Sequence, residues 1–131
     1  MILRVSEIKK TGILVSLLLL SGVLSGQSVL DYLLRAKALT RAGKPEQAIV
    51  ILTEVISKQQ DSRLLLERAE ANIVKGDYSG AIADFNSANT ISALSGEYGL
   101  AKVYALKGDA ATSLYHLQIS MKSQYKKSEK E

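Results

Sequence analysis

A chain of 131 residues is long enough for one small domain and too short for two with separate cores. One Pro, nine Gly and only 5% aromatic residues favour helices, since a sheet calls for more β-branched and aromatic side chains between regular turns. The formal charge is a modest +4, and the absence of Cys excludes disulfides, a thiolate nucleophile and a thiolate metal site, so packing must supply the stability.

The first stretch differs from all that follows. Arg4, Lys9 and Lys10, partly offset by Glu7, precede thirteen uncharged residues from Gly12 to Leu24. A helix that crosses a bilayer needs about 20 apolar residues. The run therefore predicts a signal peptide over residues 1–26, with small residues at Ser21, Gly22, Ser25 and Gly26 and cleavage after Gly26. Leu24 departs from that pattern, because a small residue is preferred two places before the cut. The alternative is an uncleaved anchor over residues 12–30, which would hold the chain at the inner membrane. Cleavage leaves 14 basic and 12 acidic residues, a formal charge of only +2. No Lys/Arg stripe interleaved with aromatics follows, so nucleic acid is not an expected partner.

Beyond the leader the sequence repeats. Turns built on Gly43-Lys44-Pro45, Gly76-Asp77-Tyr78 and Gly108-Asp109-Ala110 lie 33 and 32 residues apart. Each Gly closes a helix in a left-handed conformation, and the Asp, or the Pro at a first helical position, starts the next. The spacing predicts three helical hairpins over about 29–61, 62–93 and 94–125, with a charged tail at 126–131. Seven residues before each Gly stands Ala36, Ala69 or Ala101, and five after it Ala48, Ala81 or Ser113. From there each second helix repeats an apolar face at i, i+4 and i+7: Ala48, Leu52, Val55; Ala81, Phe85, Ala88; Ser113, Leu117, Ser120. Ile49, Ile82 and Leu114 form the adjoining column. Small and large residues alternate in this way where antiparallel helices interlock.

Over residues 29–125 this pattern resembles the tetratricopeptide repeat family. The clearest unit is Ala69, Gly76-Asp77-Tyr78, Ala81, Phe85 and Ala88, followed by Ala101, Tyr104, Gly108-Asp109 and Leu117. The resemblance implies an all-α fold, a right-handed α-solenoid of three antiparallel hairpins, and a protein-binding role with no chemistry attached. Glu97, where the family prefers a large apolar residue, and Asn72, in the column of Leu39 and Tyr104, depart from the pattern and predict looser middle and last hairpins.

No catalytic constellation accompanies the repeat. His116 is the single histidine and completes no usual zinc site, and it reads as a surface residue of the last helix. Glu67 and Glu70 share a helix with Arg63 and Arg68 and read as solvated salt bridges. The chain is thus expected to be neither an enzyme nor the holder of a metal or cofactor.

Side chains at the same place in each first helix form rows across the concave side of such a stack. The candidate partner-binding rows are Leu33, Lys37 and Thr40; Leu66, Glu70 and Ile73; and Tyr98 and Lys102, followed by Ala105. They offer an apolar line beside charges ordered Lys37, Glu70, Lys102. One reading is a groove for an extended or helical peptide with a carboxylate. The other is a ladder in which Glu70 neutralises both lysines. The expected function is that of an exported adaptor, periplasmic or extracellular, in a bacterial envelope. The alternative is an anchored structural module that self-associates or stacks with other repeats, because no capping helix follows the third pair and Tyr115, Ile119 and Met121 lie on its outer face.

Overall fold

A computed structural model describes residues 28–128. The leader and its cleavage point lie outside the described residues. The chain divides after Asp31, and the hairpins belong to the unit that begins at Tyr32. Among the described residues six helices and no strand are found: α1 (Val29–Arg41), α2 (Pro45–Lys58), α3 (Ser62–Lys75), α4 (Tyr78–Ile91), α5 (Glu97–Leu106) and α6 (Ala110–Ser128). The fold is an all-α helical repeat. Consecutive helices pack from α2 to α6, and the first helices α3 and α5 also touch each other directly. The tail expected from residue 126 is helical as far as Ser128.

Three equivalent turns build the hairpins. Gly43, Gly76 and Gly108 have φ of 72°, 86° and 80°, the left-handed region that only glycine enters without penalty. At each turn the residue after the glycine donates its N–H to the carbonyl five positions back: Lys44 to Leu39, Asp77 to Asn72 and Asp109 to Tyr104, at 2.8–2.9 Å. Those bonds satisfy carbonyls that a helix end otherwise leaves open. The following helix is then started by a side chain. Asp77 accepts from Gly80 N–H and Asp109 from Thr112 N–H, while Pro45 occupies a first-turn position of α2. Asp61 caps α3 in the same way by accepting from Arg63 N–H.

The small-residue columns are buried as their spacing requires. Ala36, Ala69, Ala48 and Ala81 are wholly buried, and Ala101 is nearly so. Ser113, the polar member, donates its hydroxyl to the Ala101 carbonyl across the last hairpin at 2.8 Å, so this contact is also hydrogen-bonded. Leu52, Val55, Phe85, Ala88 and Ser120 are buried on the second helices.

At the junction of α4 with α5 two glycines let the helices approach closely. A Cβ placed on Gly99 would overlap the Phe85 ring, and one on Gly96 would overlap the Phe85 backbone carbonyl. Phe85 sits with Leu100, Val103, Ala69 and Ala81 in one cluster, with Leu66, Ile73, Tyr78, Ile82 and Tyr104 packed around it. Burying such a ring contributes about 1.5–3 kcal/mol, and that gain depends on the two missing side chains. The connection between these helices also contains Leu94 at φ 65°, a left-handed conformation held by a residue with a side chain.

Gly99→Ala should destabilise by about 1–3 kcal/mol through overpacking, and Phe85→Leu in the same chain should recover part of the loss. Gly43→Ala, where the space is open but φ is positive, should cost about 1–2 kcal/mol and gain nothing from Phe85→Leu. A double-mutant cycle by urea unfolding checks both; coupling between positions 85 and 99 below about 0.5 kcal/mol would show that ring and glycine do not constrain each other.

Candidate functional site

The row residues divide by what their side chains already do. Thr40 is buried and donates its hydroxyl to the Ala36 carbonyl at 3.0 Å. Leu66 and Ile73 pack against the Phe85 cluster, and Leu33 is half-buried. Lys37 is exposed, and Tyr98 is 64% exposed. Glu70 and Lys102, 32 residues apart, form an ion pair between α3 and α5. Glu70 is therefore committed to Lys102, one repeat further on, and Lys37 and Arg41 have no ion pair among the described residues. The rows thus supply packing, a bridge between hairpins, and a smaller set of groups facing solvent.

Lys37, Thr40 and Glu70 of the rows line, together with Arg41, Glu67 and Val74, an open cleft of about 430 Å³ between α1 and α3. Glu67 is the chemically unusual member. Burial holds its carboxyl above the usual carboxylate value, with Glu70 adding to the rise, against the opposing pull of Lys37 and Arg41. Spacing had paired Glu67 and Glu70 with Arg63 and Arg68 as solvated bridges, and the structure corrects this. Arg63 turns back onto Asp61, the cap of its own helix, and holds that carboxyl below its ordinary range. Arg68 reaches α4, giving Nε and one terminal nitrogen to the two Asp84 oxygens at 2.9 and 2.6 Å, and a third bond goes to the Thr53 hydroxyl on α2. A planar fork on a carboxylate is the geometry in which a part-buried pair holds best.

Both departures from the repeat pattern prove to be buried and partnered. Asn72 donates to the same Asp84 at 3.3 Å. Glu97 is 7% exposed, accepts from the Asn89 amide at 2.8 Å, and meets His116 Nδ1 at 2.7 Å with its other oxygen. Asn89 in turn accepts the Gly96 N–H at 2.6 Å. His116 lies stacked on Tyr104 with ring centroids 5.6 Å apart and meets the Tyr115 ring edge-on. It is a part of the last hairpin's interior, not the surface residue its position suggested. The middle and last hairpins thus hold polar pairs where large apolar side chains were expected.

Among the described residues no three His, Asp or Glu side chains gather as a metal site would require, and no helix is long and apolar enough to cross a membrane. A second open cleft, mostly apolar, lies between the α4–α5 connection and the end of α6, with Leu94, Ile119, Met121 and Tyr125 on its walls.

Glu67 gives a pH test of the first cleft. Its folded-state pKa lies above the unfolded one, so between the ordinary value of 4.5 and that higher value the folded chain binds more protons than the unfolded chain. The Glu67 contribution to stability therefore falls as pH rises through that window. Glu67→Gln removes this slope, and the stability difference between variant and parent, from urea unfolding at successive pH values, should move in favour of the variant from about pH 4 to 7; movement the other way would mean that Lys37 and Arg41 outweigh burial.

Comparison with known families, curated proteins and solved structures finds no match to this chain.

Proposed function

We propose that the chain is a non-enzymatic protein-interaction module, similar to tetratricopeptide domains, that takes a peptide segment along its first helices. One observation carries this reading: the α1–α3 cleft combines two cations, Lys37 and Arg41, with the apolar Val74 wall and a half-buried Glu67 that gains from a donor. An extended or helical segment with a carboxylate near Lys37 and Arg41 satisfies each of these groups. The carboxylate site is assigned to Lys37 and Arg41 because Lys102 already faces Glu70. Tyr98, on α5 in the apolar line beside those charges, supplies the aromatic anchor, since a ring offers much contact area at low entropy cost. The 13-residue apolar stretch ahead of the hairpins supports export, with the leader removed near Gly26, and the partner is then a protein or peptide of a bacterial envelope.

Peptides selected against the parent protein from a random displayed library should be enriched in carboxylates. Their affinity, by fluorescence anisotropy, should fall at least tenfold with Lys37→Glu and about fivefold or more with Tyr98→Ala, corresponding to about 1 kcal/mol. Val50→Ala, an exposed change on α2, should leave it unchanged. Binding that survives the first two changes and is lost with the third would place the site on the second helices. In the native compartment the intact mass should correspond to a chain beginning at Gln27; a start at Met1 in membrane fractions would favour the anchor.

A further inference from the structure

We infer that the outer face of α6 receives the exposed face of α1 from a second copy of this chain, so that copies stack head to tail. Counted from the turn glycines, the same columns recur in all three hairpins. On the second helices, six and thirteen residues after the glycine stand Ile49 and Ile56, then Ile82 and Asn89, then Leu114 and Met121. The first two pairs are partly buried, since α3 lies on α2 and α5 lies on α4. Leu114 and Met121 are 58% and 63% exposed. The molecule thus shows twice what covers this face: a first helix.

The chain carries one first helix whose own covering face is open. Eight and five residues before the glycine, α3 places Arg68 and the wholly buried Ala71 at its junction, where Arg68 bonds Thr53 of α2. In α1 those columns hold Arg35 and Ala38, both exposed. Thr53 is matched on α6 by Gln118, an acceptor for the guanidinium of Arg35. Nine residues before the glycine, Gly99 makes room for Phe85, whereas α1 has Leu34, 59% exposed, and α6 has Leu117 in the Phe85 column. A leucine on each side replaces a ring on one side and nothing on the other, so the junction closes at similar volume. Charges agree in direction, because an incoming first helix starts beside the end of the outgoing second helix. Asp31 opens α1, and Lys126 and Lys127 lie in the last turn of α6. The two faces belong to different surfaces, so the contact is heterologous and extends a stack instead of closing a twofold dimer. It is independent of the peptide reading, which uses the row on the first helices.

The test uses the full-length protein and two single variants, Met121→Glu on the α6 face and Ala38→Glu on the α1 face, with circular dichroism confirming equal helicity. Light scattering should show a parent mass that rises with concentration beyond two chains, and each variant alone should stay at one chain. Mixing the variants should restore a mass of two chains, because each retains the face the other has lost. Leu114→Lys and Arg35→Glu repeat the pairing if either first variant loses helix. A parent of one chain at every concentration overturns the inference and leaves the face to another protein or to the chain's own apolar leader. Self-association that Ala38→Glu leaves intact also overturns it, since α6 would then pair with itself. Tyr98→Ala should leave assembly unchanged, which separates this result from the fate of the groove.

Discussion

Two helices can lie close together only where neither presents a side chain that keeps them apart, and this molecule is organised around that steric limit. The Ala and Ser columns on either side of each turn remove bulk within a hairpin, and Gly96 with Gly99 removes it between hairpins, where the Phe85 ring fills the space. The left-handed glycines make this approach possible, because a longer link would let the helices diverge before the small residues met. Everything else in the interior is fitted to those spacings. The Phe85 cluster forms because α3, α4 and α5 converge on it, and the Glu70–Lys102 bridge spans α3 and α5 because those first helices are brought into contact.

One contact position shows how freely the chemistry varies once the spacing is set. Four residues before and eight after each glycine, the hairpins hold Leu39 and Ile51, Asn72 and Asp84, and Tyr104 and His116. The second pair is a hydrogen bond and the third a ring stack. A polar pair at such a place is tolerated only when every member is satisfied, since an unpaired buried group costs about 1–3 kcal/mol. Arg68 completes the first network and Asn89 with Glu97 the second.

The turns and small-residue columns were legible in the sequence because they depend on local geometry and recur at a fixed period. Glycine at positive φ followed by a capping Asp is a signal carried by adjacent residues. The fates of Arg68, Glu97 and His116 were not legible: Arg68 was read against neighbours on its own helix, Glu97 as a departure from the repeat pattern and His116 as a lone surface residue, while the partner of each stands 16 or 19 residues away on another helix. The candidate rows lie on the first helix of each hairpin, but spacing alone does not say which members are consumed by packing. Thr40 turns to its own backbone, Ile73 packs on the core, and Lys102 faces Glu70, leaving Lys37, Arg41 and Tyr98 toward solvent. The length of α6, which continues through Lys126 and Lys127, was hidden by a composition that reads as a polar tail.

The buried polar pairs also make the hairpins unequal in a way their shared shape conceals. Apart from the Phe85 ring and the glycines that admit it, the apolar columns distinguish the units little, since Leu52 and Leu117 are the same residue type. Arg68 instead asks for Thr53 on the unit before it and Asp84 on its own, while Glu97 asks for Asn89 before it and His116 beside it. Exchange of the second and third units would set Leu100 where Arg68 meets Thr53 and leave Glu97 facing Ile56 in place of Asn89, a buried carboxylate without its amide. The order of the units is therefore written into the molecule as a lock and key at each seam, and duplication or shuffling of a hairpin would be accepted by the turns and refused by the interior.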